Sequence, residues 1–401
     1  MFEKFSLDPV YKYLLVTLAF LIPLTVFGAN LIIVIICILW LFSGNYRSKY
    51  DQIIRSPLLI ASLIFYGVHI LGLFWTEDIS WGLKILHKMW YFLLLLPVLF
   101  TVAKKEYFNF CITSFCFAMT IAELTSYLVW FEFLPPFKSA SVSNPSPFMS
   151  HVSYNPILAF TIYIISHKLF FDKSISQKKF FWYSFFVATM TINMFITGGR
   201  SGQIMYFAMI AILIIQYFNA EKVKSLIAML IIIPSIFIFA YQTGDLFKER
   251  VDDVIKSVVT YETNWKTSVG KRMTYAINSA EIIKQNPIIG VGTGDFPSEY
   301  KKISIKNNNE EIPTPTNPHN MYTLILVQLG LVGLLSFLSI FYYQIKLSFR
   351  SSNKFIRDLG LTLPLLFLVV MFGESYLLGH FTTLMYIFFS AFLYKNFEET
   401  Q

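Results

Sequence analysis

Arg200 stands in the run Thr197-Gly198-Gly199-Arg200-Ser201-Gly202, where two glycines before the arginine allow a tight turn and the close approach of a ligand. Arg272 follows Gly270-Lys271 near the start of a helical stretch on which Arg272, Ala276 and Ser279 share a face. Arginine suits a phosphate because its planar fork donates two parallel hydrogen bonds and never loses its proton. Read alone, Arg200 is equally an interfacial arginine reaching lipid headgroups, and Arg272 is better read as a solvated charge. His319 lies in Asn317-Pro318-His319-Asn320-Met321-Tyr322. Asn317 as N-cap and Pro318 as first helical residue would place His319 in the first turn of a helix. There the helix dipole opposes a further proton and keeps the imidazole neutral, as a general base requires. Position alone balances that reading against a polar residue marking a membrane interface.

Lys84 and Lys88 stand one turn apart, with His87 between them, and suit either an anionic ligand or headgroup anchoring. Glu374 and His380 lie near the end of a late apolar run, and Glu123 sits inside another, where a structural role is the favoured reading. Gly290, Gly292 and Gly294 read as a flexible turn. They are not a nucleotide loop, since no Lys-Ser/Thr follows and no Rossmann-type βαβ unit surrounds them. No HExxH and no acidic pair spaced for a metal occurs, so neither a metal nor a cofactor is expected.

The elements that must position these residues are helices in a membrane. Of the 401 residues, 55% are hydrophobic and only 14% charged, too little polar surface to cover soluble domains of that length. About twelve apolar runs approach the ~20 residues needed to span a bilayer. They fall near 10–28, 30–43, 57–75, 85–103, 108–134, 153–170, 180–197, 203–219, 225–242, 319–343, 359–377 and 381–395. The expected fold is therefore all-α and polytopic. Residues 1–242 form a transmembrane region of about nine helices, 243–318 a helical loop domain, and 319–401 a transmembrane region of about three.

Orientation follows from lysine and arginine. With both termini inside, 18 of the 32 basic residues fall in cytoplasmic segments, Lys4 among them, and the long segment 243–318 is neutral with 10 bases and 10 acids. The net charge of +8 is thus topological anchoring and no nucleic-acid footprint. The informative bases are the few that face outward, Arg200, Lys84 and Lys88 among them. Within 243–318, apolar residues from Leu246 to Val259 repeat at helical spacing, a second helix runs from about Val269 to Lys284, and a polar run ends in Pro313, Pro315 and Pro318.

Three blocks together resemble the O-antigen ligase and polymerase superfamily of bacterial inner membranes. The first is the Thr197–Gly202 run. The second is Lys271-Arg272-Met273 followed by Asn286-Pro287-Ile288-Ile289-Gly290-Val291-Gly292-Thr293-Gly294-Asp295-Phe296. The third is Pro318-His319-Asn320-Met321-Tyr322 followed by Gln328-Leu329-Gly330-Leu331-Val332-Gly333. Their order and the long loop before the histidine match the family pattern, over roughly residues 180–345.

The resemblance implies a glycosyltransferase, most like the O-antigen ligase. Such an enzyme moves a glycan from undecaprenyl diphosphate to the lipid A–core oligosaccharide at the periplasmic face, and sits multi-pass in the inner membrane. It implies Arg200 and Arg272 on the diphosphate and His319 as base toward the acceptor hydroxyl. Lys84 or Lys88 would supply a further base for the donor, and Glu374, Asn320 and Tyr322 would support the site. With no carboxylate nucleophile evident, a single inverting displacement without metal is expected. The main rival is an O-antigen polymerase, which joins two carrier-linked units. A non-enzymatic transporter of lipid-linked glycan is less favoured, because the unusual residues gather at one face.

Overall fold

The computed structural model describes residues 7–260, 266–307 and 314–395; Lys4 and Pro313 lie outside them. Among the described residues the chain is helical, without a named strand. In order the helices are α1 (Asp8–Leu21), α2 (Val26–Phe42), α3 (Tyr46–Arg55), α4 (Pro57–Leu71), α5 (Ile79–Trp90), α6 (Leu96–Val102), α7 (Lys105–Trp130), α8 (His151–Phe171) and α9 (Gln177–Ile196). They continue as α10 (Arg200–Phe218), α11 (Lys222–Thr243), α12 (Asp245–Val259), α13 (Ser268–Gln285), α14 (Phe296–Lys306), α15 (Met321–Ser348), α16 (Lys354–Val370) and α17 (His380–Leu393).

Each apolar run coincides with a helix, but not each with a full span. By length and composition six stretches are fit to cross a membrane: Pro57–Trp75, Ile79–Val102, α7, α10, α11 and α15. A seventh would be α2 and α3 together, bent by 115°. The expected count of about twelve exceeds this. α1 and α17 have 14 residues each, so each is about 21 Å long, short of the ~30 Å apolar layer. α17 is instead buried from Thr382 to Leu393 and packs on α6, α8 and α16 as an inner strut. α11 is the opposite case: only Ser225 and Ala240 are buried, leaving most of its apolar side chains on the surface.

Some run boundaries move for local reasons. α16 ends at Val370, so Glu374 lies in the turn that follows and not in a helix. The α5 helix begins at Ile79 because the Asp78 side chain accepts from Trp81 N at 2.9 Å, so Lys84 and Lys88 lie within a helix rather than at its edge.

The glycine-rich block is a clamp, not a flexible turn. α15 is interrupted at Gly330, whose φ of 59° and ψ of −154° lie outside helical space. The break frees backbone groups on either side, which must find partners in an apolar surrounding. Residues 287–292 supply them: Val291 N and Gly292 N donate to the carbonyls of Val327 and Gln328, both at 2.9 Å. In return Leu331 N donates to Pro287 O at 2.9 Å and Val332 N to Ile288 O at 3.1 Å. The two backbones are so close that a Cβ on Gly330 would stand 2.4 Å from the Ile288 carbonyl carbon. Gly330 is nine residues into α15, so the clamp reaches about 14 Å along that helix from its start.

The next residues tie the same loop to the α4–α5 turn. Thr293 Oγ1 donates to His69 O at 2.7 Å. The fully buried Asp295 carboxylate accepts from Thr76 Oγ1 at 2.6 Å, Glu77 N at 2.8 Å and Asp78 N at 2.9 Å. α14 then packs on α13, with Tyr300 edge-on to Tyr275 at 5.6 Å. The glycine-rich part of the segment between α11 and α15 is thereby held both to α15 and to the α4–α5 turn.

Candidate functional site

Arg200 is the first residue of α10, and the turn before it is set by two asparagines, of which Asn155 is buried. Thr197 Oγ1 donates to Asn155 Oδ1 at 2.7 Å, and Gly198 N donates to Asn144 Oδ1 at 3.0 Å. α8 and α10 pack so tightly there that a Cβ on Gly202 would lie 2.3 Å from that of Asn155. The glycines therefore serve helix approach as much as ligand approach. The Arg200 guanidinium reaches across to Ser268 Oγ at 3.4 Å.

Ser268 is the first residue of α13, and Arg272 is one turn further on the same helix. Tyr275 and Ser279, both buried, continue that side, while Ala276 is exposed, so the expected face of Arg272, Ala276 and Ser279 is split. Arg272 Nη2 lies 3.6 Å from Glu374 Oε2. The same oxygen is 2.7 Å from His319 Nδ1. The Tyr275 ring stacks beside His319 with centroids 6.2 Å apart and planes 19° apart. Arg200, Arg272, His319 and Glu374 are thus one connected cluster drawn from α10, α13 and the two turns flanking α15 and α16.

The histidine is held differently from the expectation. Asn317 Oδ1 accepts from His319 N at 2.8 Å, and His319 takes a left-handed backbone with φ of 54°. The helix starts only after Asn320, whose Oδ1 accepts from Thr323 N at 3.0 Å. Asn320, not Asn317, is the N-cap, and His319 lies outside the first turn because the asparagine–proline pair folds back on it. Its chemistry is set by Glu374 rather than by the helix dipole. Nδ1–H donates to the carboxylate, which leaves the Nε2 lone pair free to accept a proton. A non-glycine residue in the left-handed region is strained, and such strain gathers at functional sites.

Glu374 is the buried member of the cluster, 16% exposed, against 36% for His319 and 38% for Arg272. Burial alone would raise its carboxyl; the hydrogen bond from His319, with that from Ser375 N and the charge of Arg272, holds it below the ordinary value. It is a permanent anion at neutral pH.

Asn320 and Tyr322 brace this arrangement. Asn320 Nδ2 donates to Phe372 O at 3.3 Å, and Tyr322 OH donates to Leu368 O at 2.5 Å. Both tie the start of α15 to the end of α16, just ahead of the turn carrying Glu374. Lys84 and Lys88 are not brought in. The Lys84 ammonium rests over the Trp81 ring at 4.6 Å, and among the described residues no hydrogen bond or ion pair links either lysine to the cluster. Glu123 is buried within α7, away from it. His380 is engaged by Tyr91 OH through Nδ1 at 2.6 Å. Among the described residues no three His, Cys, Asp or Glu side chains come together as metal ligands.

Sequence reasoning missed Ser268 and Tyr275. Tyr275 carried a usable signal, three residues after Arg272 on one helix. Ser268 carried none.

Comparison with known proteins bears on the same region. Residues 185–338 match the model of the O-antigen ligase family. The match includes Arg200, Arg272 and His319 and stops before Glu374. It supports the O-antigen ligase and polymerase superfamily, whose members are enzymes. A stretch of 206 residues, 49% of this chain, is 27% identical to a Haemophilus influenzae protein described only as "Uncharacterized protein" and covers 51% of it. The matched stretch thus spans about half the length of that curated relative.

Proposed function

We propose that this protein transfers a glycan from undecaprenyl diphosphate to a hydroxyl of the lipid A–core oligosaccharide, as an O-antigen ligase. The observation that carries the reading is the single carboxylate oxygen of Glu374 shared by His319 at 2.7 Å and Arg272 at 3.6 Å, with Arg200 bonded to the helix of Arg272. It joins a base to two cations, which is what this reaction needs.

The acceptor oxygen attacks the anomeric carbon while His319 Nε2 takes its proton. The bond from the anomeric carbon to the phosphate oxygen breaks, and its electron pair leaves with the diphosphate. Glu374 stabilises the imidazolium that forms, and Arg200 and Arg272 stabilise the charge growing on the leaving group. Each such donor contributes a few kcal/mol in a partly dehydrated site. A glycan on a diphosphate already carries a good leaving group, so no nucleotide is consumed. One displacement inverts the anomeric configuration, and no metal takes part.

In this reading the protein is a multi-pass inner-membrane protein with both termini cytoplasmic. Residues 243–318 form a periplasmic loop domain between transmembrane regions 1–242 and 319–401. Lys84 and Lys88 serve only as further positive charge at the donor's end of the bundle. The test is the lipopolysaccharide of a deletion strain, with R200A, R272A and H319A as complementing variants. Full-length glycan left on the lipid carrier is the expected result. Core capped with one repeat unit would make the protein a polymerase. Retained anomeric configuration, or activity lost on chelation and restored by a divalent ion, would overturn the mechanism.

A further inference from the structure

α12 begins against the end of α9, just before the turn that carries Arg200. The Phe247 ring meets Phe195 edge-on at 5.0 Å, and Phe247 is buried. Arg250 follows one turn later on the same side of α12. Its Nε is buried without a hydrogen-bond partner among the described residues. Its ion-pair partner, Asp253, is 3.9 Å away at the outer limit of such a contact. Arg200 feels the positive charges of both Arg250 and Arg272, with Asp253 as the offsetting acid. His151, at the start of α8, is held below its ordinary value first by burial and then by the charges of Arg250 and Arg200.

Among the described residues three guanidiniums therefore share one region, Asp253 and Glu374 are the acids set against them, and Glu374 is already engaged by His319. Like charges held together repel, and an anion placed among them relieves the repulsion. We infer that Arg250 is a third arginine of the diphosphate site, acting on the phosphate that becomes the leaving group. The inference rests on the transfer reading above. As the anomeric carbon leaves, the electron pair stays on the terminal phosphate and the acceptor's proton goes to His319, so the diphosphate gains negative charge. Arg250 supplies the cation that the leaving group gains use for, in a position the donor's own charge does not require.

The test is binding of undecaprenyl diphosphate, with undecaprenyl monophosphate as comparator, to the purified full-length protein in nanodiscs. R250Q is expected to weaken diphosphate binding by about tenfold, roughly 1.4 kcal/mol, and monophosphate binding by less than about threefold. D253N frees the guanidinium and should bind diphosphate at least as tightly as wild type. Wild-type binding by R250Q overturns the inference. So does weaker binding by D253N, which would show that Arg250 serves only to pair with Asp253. Where R250Q does not accumulate, D253N decides alone by the same two outcomes. R200Q separates the levels: loss in R200Q with none in R250Q removes only Arg250, whereas no loss in either removes the transfer reading itself.

Discussion

Replacing Glu374 by glutamine keeps its shape and removes its charge, and the surrounding hydrogen bonds say what must follow. Oε2 faces His319 Nδ1 at 2.7 Å and Arg272 at 3.6 Å, while Oε1 accepts from Ser375 N at 3.0 Å. A carboxylate accepts on both sides; an amide cannot. With its oxygen toward His319, the glutamine sets its NH2 against the Ser375 N–H. Turned over, it sets NH2 against Arg272 and forces the histidine proton onto Nε2, where the lone pair is needed.

The first orientation keeps the useful tautomer but loses the charge that stabilises the imidazolium. At about 4 Å between charge centres and an effective dielectric near 20, that pair is worth about 4 kcal/mol, a factor near a thousand in rate. His319 is 36% exposed, and solvent screening trims the figure. E374Q is therefore expected to lower kcat by roughly 10² to 10³ while the KM for the donor changes by less than about threefold. The assay is glycan transfer by purified protein in nanodiscs, followed by release of undecaprenyl diphosphate over a range of donor concentrations. A kcat within about tenfold of wild type would refute the argument. So would a large rise in KM at constant kcat, which would make Glu374 a binding group.

Other perturbations test the frame around the site. G330A puts a Cβ 2.4 Å from the Ile288 carbonyl carbon at a φ of 59°; strain alone costs roughly 1–3 kcal/mol, and protease sensitivity within residues 286–296 should rise with it. D295N sets an NH2 against one of the three donors of Thr76, Glu77 and Asp78, and should lower stability by about 2–3 kcal/mol in a detergent melt, with activity falling only in step with folded protein. Glu374 has a lowered pKa, so its contribution to stability is full above about pH 5 and fades as pH falls through the ordinary carboxylate value and then the lowered one. The melting advantage of wild type over E374Q should accordingly shrink below about pH 4; an advantage that grows with acid would contradict the ionised Glu374 carboxylate.

How far the site was legible depends on how local each signal was. Read alone, Arg200 and His319 balance between a site and an interface, and Arg272 reads as a solvated charge; the three motif blocks taken together single them out, and the structure brings all three together. Glu374 was found as an acid at the right end of a run, but its bond to a histidine 55 positions earlier had no sequence mark. The start of α15 was misplaced because Asn317-Pro318 is a good helix opening, and only the bond from His319 N back to Asn317 Oδ1 turns it into a separate turn. Lys84 and Lys88 stand out in the sequence as bases on the outward side of a charge count. Such a count reports topology, not proximity. Helix existence was read well from apolar runs. Their status as spans was not, since a run such as 381–395 is as apolar when it faces other helices as when it faces lipid.

The glycines carry the larger lesson about the three blocks. Read as isolated motifs, the glycine triplet suggests flexibility and Gln328-Leu329-Gly330-Leu331 suggests an ordinary apolar helix. Together they are one object, a break in α15 and the loop backbone that fills it. Gln328 even lends its side chain, accepting from Gly294 N at 2.5 Å. The first block reaches the helix of the second through Arg200 and Ser268, and the second joins the third through this clamp. The three blocks are thus mechanically joined, and many of their residues serve the join itself. α13, which carries Arg272, runs directly into the clamp at 287–292, and α15, which receives the clamp, begins at Met321, two residues after His319. Fixing one backbone into the other sets the separation of Arg272 and His319 through the main chain. A substitution in the clamp should therefore disturb the relation between Arg272 and His319 before it disturbs either residue's own surroundings.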